Sequence, residues 1–70
     1  MFKRINRQQA FQLGVLHARG YKGAKRIAAF GCACSEILRR EFSQGVTAAP
    51  IVLPCAIETI AQNFSPEVNW

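Results

Sequence analysis

The chain is predicted to be all-α, a small bundle of about four short helices with a helix-turn-helix-like centre. Three observations predict it. Apolar residues recur at spacings of three and four along most of the 70 residues, which is the period of a helix and not the alternation of a strand. Gly20, Gly31, Gly45 and Pro54 punctuate those periodic runs where helices would stop and start. Half the residues are hydrophobic and only 19% are charged, a balance too apolar for a disordered segment.

Residues 1–6 read as a basic arm with Lys3 and Arg4. From Arg7 onward Ala10, Phe11, Leu13, Gly14, Val15 and Ala18 fall at helical spacings, predicting a first helix over 7–18. Asn6 suits its N-cap and Gly20 its stop. Tyr21, Lys22 and Gly23 form a connector, and Ala24 to Phe30 is predicted as a second helix with Ile27, Ala28 and Phe30 inward, ended by Gly31. Ser35 caps a third helix over 35–44, with Glu36 in the first turn, where a carboxylate complements the positive end of the helix dipole. Ile37, Leu38 and Phe42 share its inward side, and Gly45 is the expected stop. Pro50 and Pro54 each disfavour helix in the residue before them, so 46–53 reads as a linker. Pro54 then opens a fourth helix over 54–64. Leu53, Ile57, Ile60 and Phe64 form its apolar stripe, expected to cover the basic three-helix part, 7–45, and a tail over 65–70 ends in Trp70.

These parts make one domain, 1–70. A chain of this length buries only about 60% of the surface its unfolded form exposes, so support from a partner or a second copy is physically useful. The apolar stripe of the fourth helix together with Trp70 is the candidate homodimer or partner surface.

Charge is distributed very unevenly. Nine bases and one acid give residues 1–40 a charge of +8, while three acids and no base give residues 41–70 a charge of −3. Such asymmetry points to an anionic partner, a nucleic acid or an acidic protein surface. Arg4, Arg7, Lys22, Lys25, Arg26, Arg39 and Arg40 are the candidate contacts.

Other classes find little support. The chain has no Asp, its four Glu are scattered, and its one His has no acid nearby in sequence, so the paired titratable groups of acid–base catalysis are missing. No enzyme activity and no cofactor are expected. Cys32, Cys34, Cys55 and His17 would make a zinc-type ligand set, but the C-x-C spacing and the small apolar neighbours favour ordinary buried thiols, and no metal is expected. An odd number of cysteines fits a reducing, cytoplasmic setting. No apolar run approaches the roughly 18 residues of a membrane span, and the N-terminus lacks a signal peptide's apolar segment.

The stretch from Lys25 to Phe42, with Phe30-Gly31-Cys32 at its turn and Ile37 midway along the second of its helices, resembles the helix-turn-helix of small Cro-type and Ner-type phage regulators. In the register set by Gly31 the family's small position falls on Ile27 and a usually apolar late position on Arg40. The resemblance implies duplex DNA as the favoured partner and transcription regulation as the role. Ser35, Glu36, Arg39 and Arg40 would then face base edges from the recognition helix, and Lys22, Lys25 and Arg26 would hold phosphates. Arg4 and Arg7 would lie along a groove as an arm.

Two alternatives stay open. The pattern Ala10-x3-Gly14-x3-Ala18, with a downstream Cys, Arg39-x2-Phe42 and Gly45, resembles the ribosome modulation factor family of very small basic proteins, although that family's Cys-Pro pair and its tryptophans near the second glycine are missing here and a further C-terminal helix is added. This resemblance implies ribosomal RNA as the partner. A small inhibitor or adaptor that docks its basic face on an acidic host protein is the third reading, and composition does not separate it from nucleic-acid binding.

Overall fold

The computed structural model describes residues 5–31 and 35–64. Among these residues there are four helices and no strand: α1 over Arg7–Ala18, α2 over Lys22–Gly31, α3 over Glu36–Ala48 and α4 over Pro54–Phe64. A 3₁₀ turn, Ala49–Ile51, joins α3 to α4. The predicted all-α bundle is therefore the fold. Arg4, Cys32 of the expected turn, Cys34 and Trp70 lie outside the described residues, as does the side chain of Phe30.

Local chemistry sets the helix ends. The Asn6 side-chain oxygen accepts from the Gln9 N–H at 2.7 Å, and the Gln9 side-chain oxygen accepts from the Asn6 N–H at 2.9 Å. This reciprocal capping box satisfies two of the backbone donors that a helix start leaves unpaired. At the other end of α1, Gly20 takes φ +97°, the left-handed region that a side chain disfavours. The Tyr21 N–H then reaches back to the Leu16 carbonyl at 3.0 Å and the Gly20 N–H to the His17 carbonyl at 3.1 Å, the paired bonds of a Schellman motif. Ser35 caps α3 by accepting from the Leu38 N–H at 3.3 Å.

Helix α1 is the central element. Leu13, Val15 and Leu16 are its fully buried side chains, each worth about 1.5–3 kcal/mol of hydrophobic stabilisation, and Ala10 and Gly14 are buried with them. Around it α2 contributes Ala24, Ile27 and Ala28, and α4 contributes Ile57, Ala61 and Phe64. Helix α3 packs on α1 more extensively than any other element does.

The reason is a crossing of two glycines. A Cβ on Gly14 would overlap the Phe42 carbonyl oxygen and lie 3.0 Å from the Val46 nitrogen. A Cβ on Gly45 would overlap the Phe11 carbonyl oxygen and lie 3.1 Å from the Gly14 Cα. The two backbones thus touch, each glycine turning a Cα–H toward a carbonyl oxygen of the other helix, a contact worth about 0.5–1 kcal/mol apiece. Contacts pass from Phe11–Gly45 to Gly14–Phe42 to His17–Phe42, so α3 runs back along α1 and its first turn lies toward the α1–α2 corner.

This crossing corrects several expectations. Gly45 does not stop α3, which continues to Ala48, because the bare glycine is needed inside the helix where Phe11 approaches. The linker predicted over 46–53 is accordingly helical over its first three residues. Ile37 is 51% exposed and not inward. It precedes Gly45 by eight residues, which places it about 80° around the helix from the crossing, whereas Leu38, seven residues before, is only about 20° away. Leu53 is likewise exposed, at 67%, because it precedes the helix and supplies only its carbonyl, which accepts from the Ile57 N–H. The inward stripe of α4 is Ile57, Ala61 and Phe64, with Ile60 at its half-buried margin. Helix α2 begins at Lys22, two residues earlier than expected, with Gly23 on its buried side.

Candidate nucleic-acid interface

Helix α2 is amphipathic in the plainest sense. Gly23, Ala24, Ile27 and Ala28 are buried, while Lys22, Lys25, Arg26 and Ala29 are exposed. The exposed set has spacings of three, one and three, one stripe along the helix, so three cations stand together on the face turned away from the core. Helix α2 contains no acid, and Arg19, the exposed C-cap of α1, precedes the stripe.

The corner before that stripe is shaped by Gly20. Its positive φ folds the chain from α1 into α2 within Arg19, Gly20 and Tyr21, and the Schellman bonds hold Tyr21 at the corner. The Tyr21 carbonyl accepts from the Ala24 N–H at 3.1 Å, which starts α2 directly. His17, Gly20, Tyr21, Lys22 and Lys25 there line an open depression of about 430 Å³. Behind it the His17 ring packs on Phe42 of α3, with ring centroids 5.6 Å apart and planes tilted by 31°. Tyr21 is half-buried against the core.

The remaining predicted contacts are more dispersed. Ser35 is partly buried and uses its hydroxyl oxygen as the cap of α3. Glu36, Arg39 and Arg40 are exposed on the first turns of α3. Arg7 is exposed at the start of α1, about 16 Å along the helix axis from Ala18, and so stands apart from the α1–α2 corner. Of the candidate partner surface, Ile57 and Phe64 are each 4% exposed and belong to the protein's own core. Leu53 remains open, Ile60 partly so, and Ile51, 84% exposed, is an apolar neighbour that periodicity did not single out.

Sequence reading also passed over His17 and Tyr21 as contacts. They share the window 17–25 with Gly20, Lys22 and Lys25, but only the fold of the corner sets them around one depression. Among the described residues no group of three or more His, Cys, Asp or Glu is arranged to hold a metal ion, and Cys55 is a free, exposed thiol. No described helix is long and apolar enough to cross a membrane. No family model matches the chain, and neither does any curated protein or solved structure.

Proposed function

We propose that the chain is a small basic nucleic-acid-binding protein that takes RNA, in the manner its resemblance to the ribosome modulation factor family implies. The observation that carries this reading is the single exposed stripe of Lys22, Lys25 and Arg26 on a helix with no acid. Cations spaced along one helix face meet successive phosphates, and the counterions released on contact drive association. The RNA preference rests on that resemblance, of whose residues Gly14, Phe42 and Gly45 meet at the α1–α3 crossing, while Ala18 and Arg39 are exposed.

Duplex DNA binding by a phage-type regulator is the second reading, favoured by exposed Arg39 and Arg40 on a Ser35-capped helix. Against it, Ile37, its expected recognition-helix core contact, is 51% exposed, and α2 and α3 both pack chiefly on α1. Electrophoretic mobility shifts with structured RNA and with duplex DNA of equal length test the choice. A variant with Lys22, Lys25 and Arg26 all changed to Gln is expected to lose three phosphate contacts, lowering the slope of log affinity against log salt by about 2 on single-stranded parts and about 3 on duplex. An unchanged slope would remove α2 from the interface. Capture of one acidic host protein from nuclease-treated lysate, with no nucleic-acid binding, would favour the adaptor reading instead.

A further inference from the structure

We propose that the depression at the α1–α2 corner is a pocket for one unpaired nucleotide, its base lying against His17 and Tyr21 and its flanking phosphates held by Lys22 and Lys25. The proposal rests on the nucleic-acid reading above and deepens it by naming where a base, as distinct from the phosphate backbone, is gripped. At about 430 Å³ the depression falls within the roughly 300–1,000 Å³ of ordinary small-ligand pockets. Its lining residues are one His, one Tyr and two Lys beside Gly20, with no acid among them to repel a phosphate. Aromatic rings beside cations are the means by which proteins bind single strands, since every base has a π-face to stack and every linkage a charge to neutralise.

The backbone of the corner and the His17 ring are held before any ligand arrives. The Tyr21 backbone is fixed through its N–H to Leu16 at 3.0 Å and through its carbonyl to Ala24 at 3.1 Å, and its side chain packs against the core. His17 is steadied by the Phe42 ring, and Gly20 leaves the mouth open, since even an added Cβ there would meet nothing within 4 Å. Little ordering is then needed on binding, which favours affinity. A paired base inside a duplex cannot reach such a corner. The occupant is therefore an unpaired nucleotide in a loop or single strand.

The test uses the full chain and three fluorescent RNA probes: a single strand of about a dozen nucleotides, the same backbone made abasic, and a hairpin duplex of equal charge. One stacked base is worth about five- to hundredfold in affinity, so the base-bearing strand is expected to bind at least fivefold more tightly than the abasic one. Tyr21→Leu, which keeps an apolar body in the corner, and His17→Leu are expected to erase that difference. A second readout needs no variant. The chain has one Tyr, and one His, so their ring resonances are identified by type and should shift on adding the base-bearing strand but not the abasic one. Equal binding of the two strands with unmoved ring signals would overturn the pocket and leave nucleic-acid binding standing. Tighter binding of the duplex would overturn it too, and failure of all three probes would remove both proposals together.

Discussion

Gly45→Ala should destabilise the protein, although in an isolated helix the same change would stabilise it. Alanine is favoured over glycine in a helix interior by about 1 kcal/mol. At position 45 the new methyl would overlap the Phe11 carbonyl oxygen and stand 2.9 Å from its carbon, and both belong to backbone that cannot rotate aside. Restoring ordinary contact requires α1 and α3 to separate by roughly 1 Å, and a gap of that order forfeits about a quarter to a half of each dispersion contact along the interface. Overpacking a tight site costs about 1–3 kcal/mol, and a clash with main chain belongs at the upper end. Subtracting the propensity gain leaves a net loss of about 2 kcal/mol, which for a domain of this size lowers Tm by about 8–16 °C. Thermal unfolding followed by circular dichroism at 222 nm measures it, with Gln44→Ala, one position away and exposed, expected to change stability by no more than about 0.5 kcal/mol. A Tm for Gly45→Ala equal to or above that of the parent would refute the close crossing. Gly14→Ala shares the same contact, so the double variant should lose less than the sum of the two, because the helices have already parted.

Other perturbations separate the remaining claims. Phe64→Ala, at a side chain only 4% exposed, should cost about 3–5 kcal/mol in urea unfolding at any protein concentration, whereas a loss confined to high concentration would return Phe64 to a dimer contact. Leu53→Ser is expected to leave stability within about 0.5 kcal/mol, since Leu53 is 67% exposed, and a larger loss would mean that another surface covers it. Asn6→Ala removes the acceptor of the capping box and should lower stability by about 1 kcal/mol, with Gln9→Ala adding less on top than it costs alone. Gly20→Ala has space for its methyl but must hold φ +97°, so a loss of about 1–2 kcal/mol is expected from backbone conformation alone.

The helix boundaries were largely legible from the sequence because they depend on neighbours a few residues away. Asn6 with Gln9, Ser35 with Leu38 and Gly20 with its Schellman bonds are local arrangements, and the first helix spans Arg7–Ala18 as periodicity predicts. The cationic stripe was legible for the same reason, since Lys22, Lys25 and Arg26 are one helical face whatever packs behind them. The aromatic half of the candidate site was not. His17 lies in the last turn of α1 and Tyr21 beyond its end, and only the fold of the corner sets both around one depression with Lys25. Ile37 is exposed because apolar character marks a residue for burial without saying which neighbour will bury it.

By itself, then, the sequence determined an all-α chain, the caps that bound its helices and a strongly basic amino-terminal part, all consequences of hydrogen bonds and charges within a turn or two. Only the tertiary structure decided what its glycines are for. Gly20 and Gly45 both end an apolar run and look alike in sequence, yet one supplies a left-handed turn and the other a surface bare enough for a second backbone. The difference lies in the chain that comes to meet them. Because Phe11 meets Gly45, α3 continues past it, turns Leu38 inward and leaves Ile37 exposed.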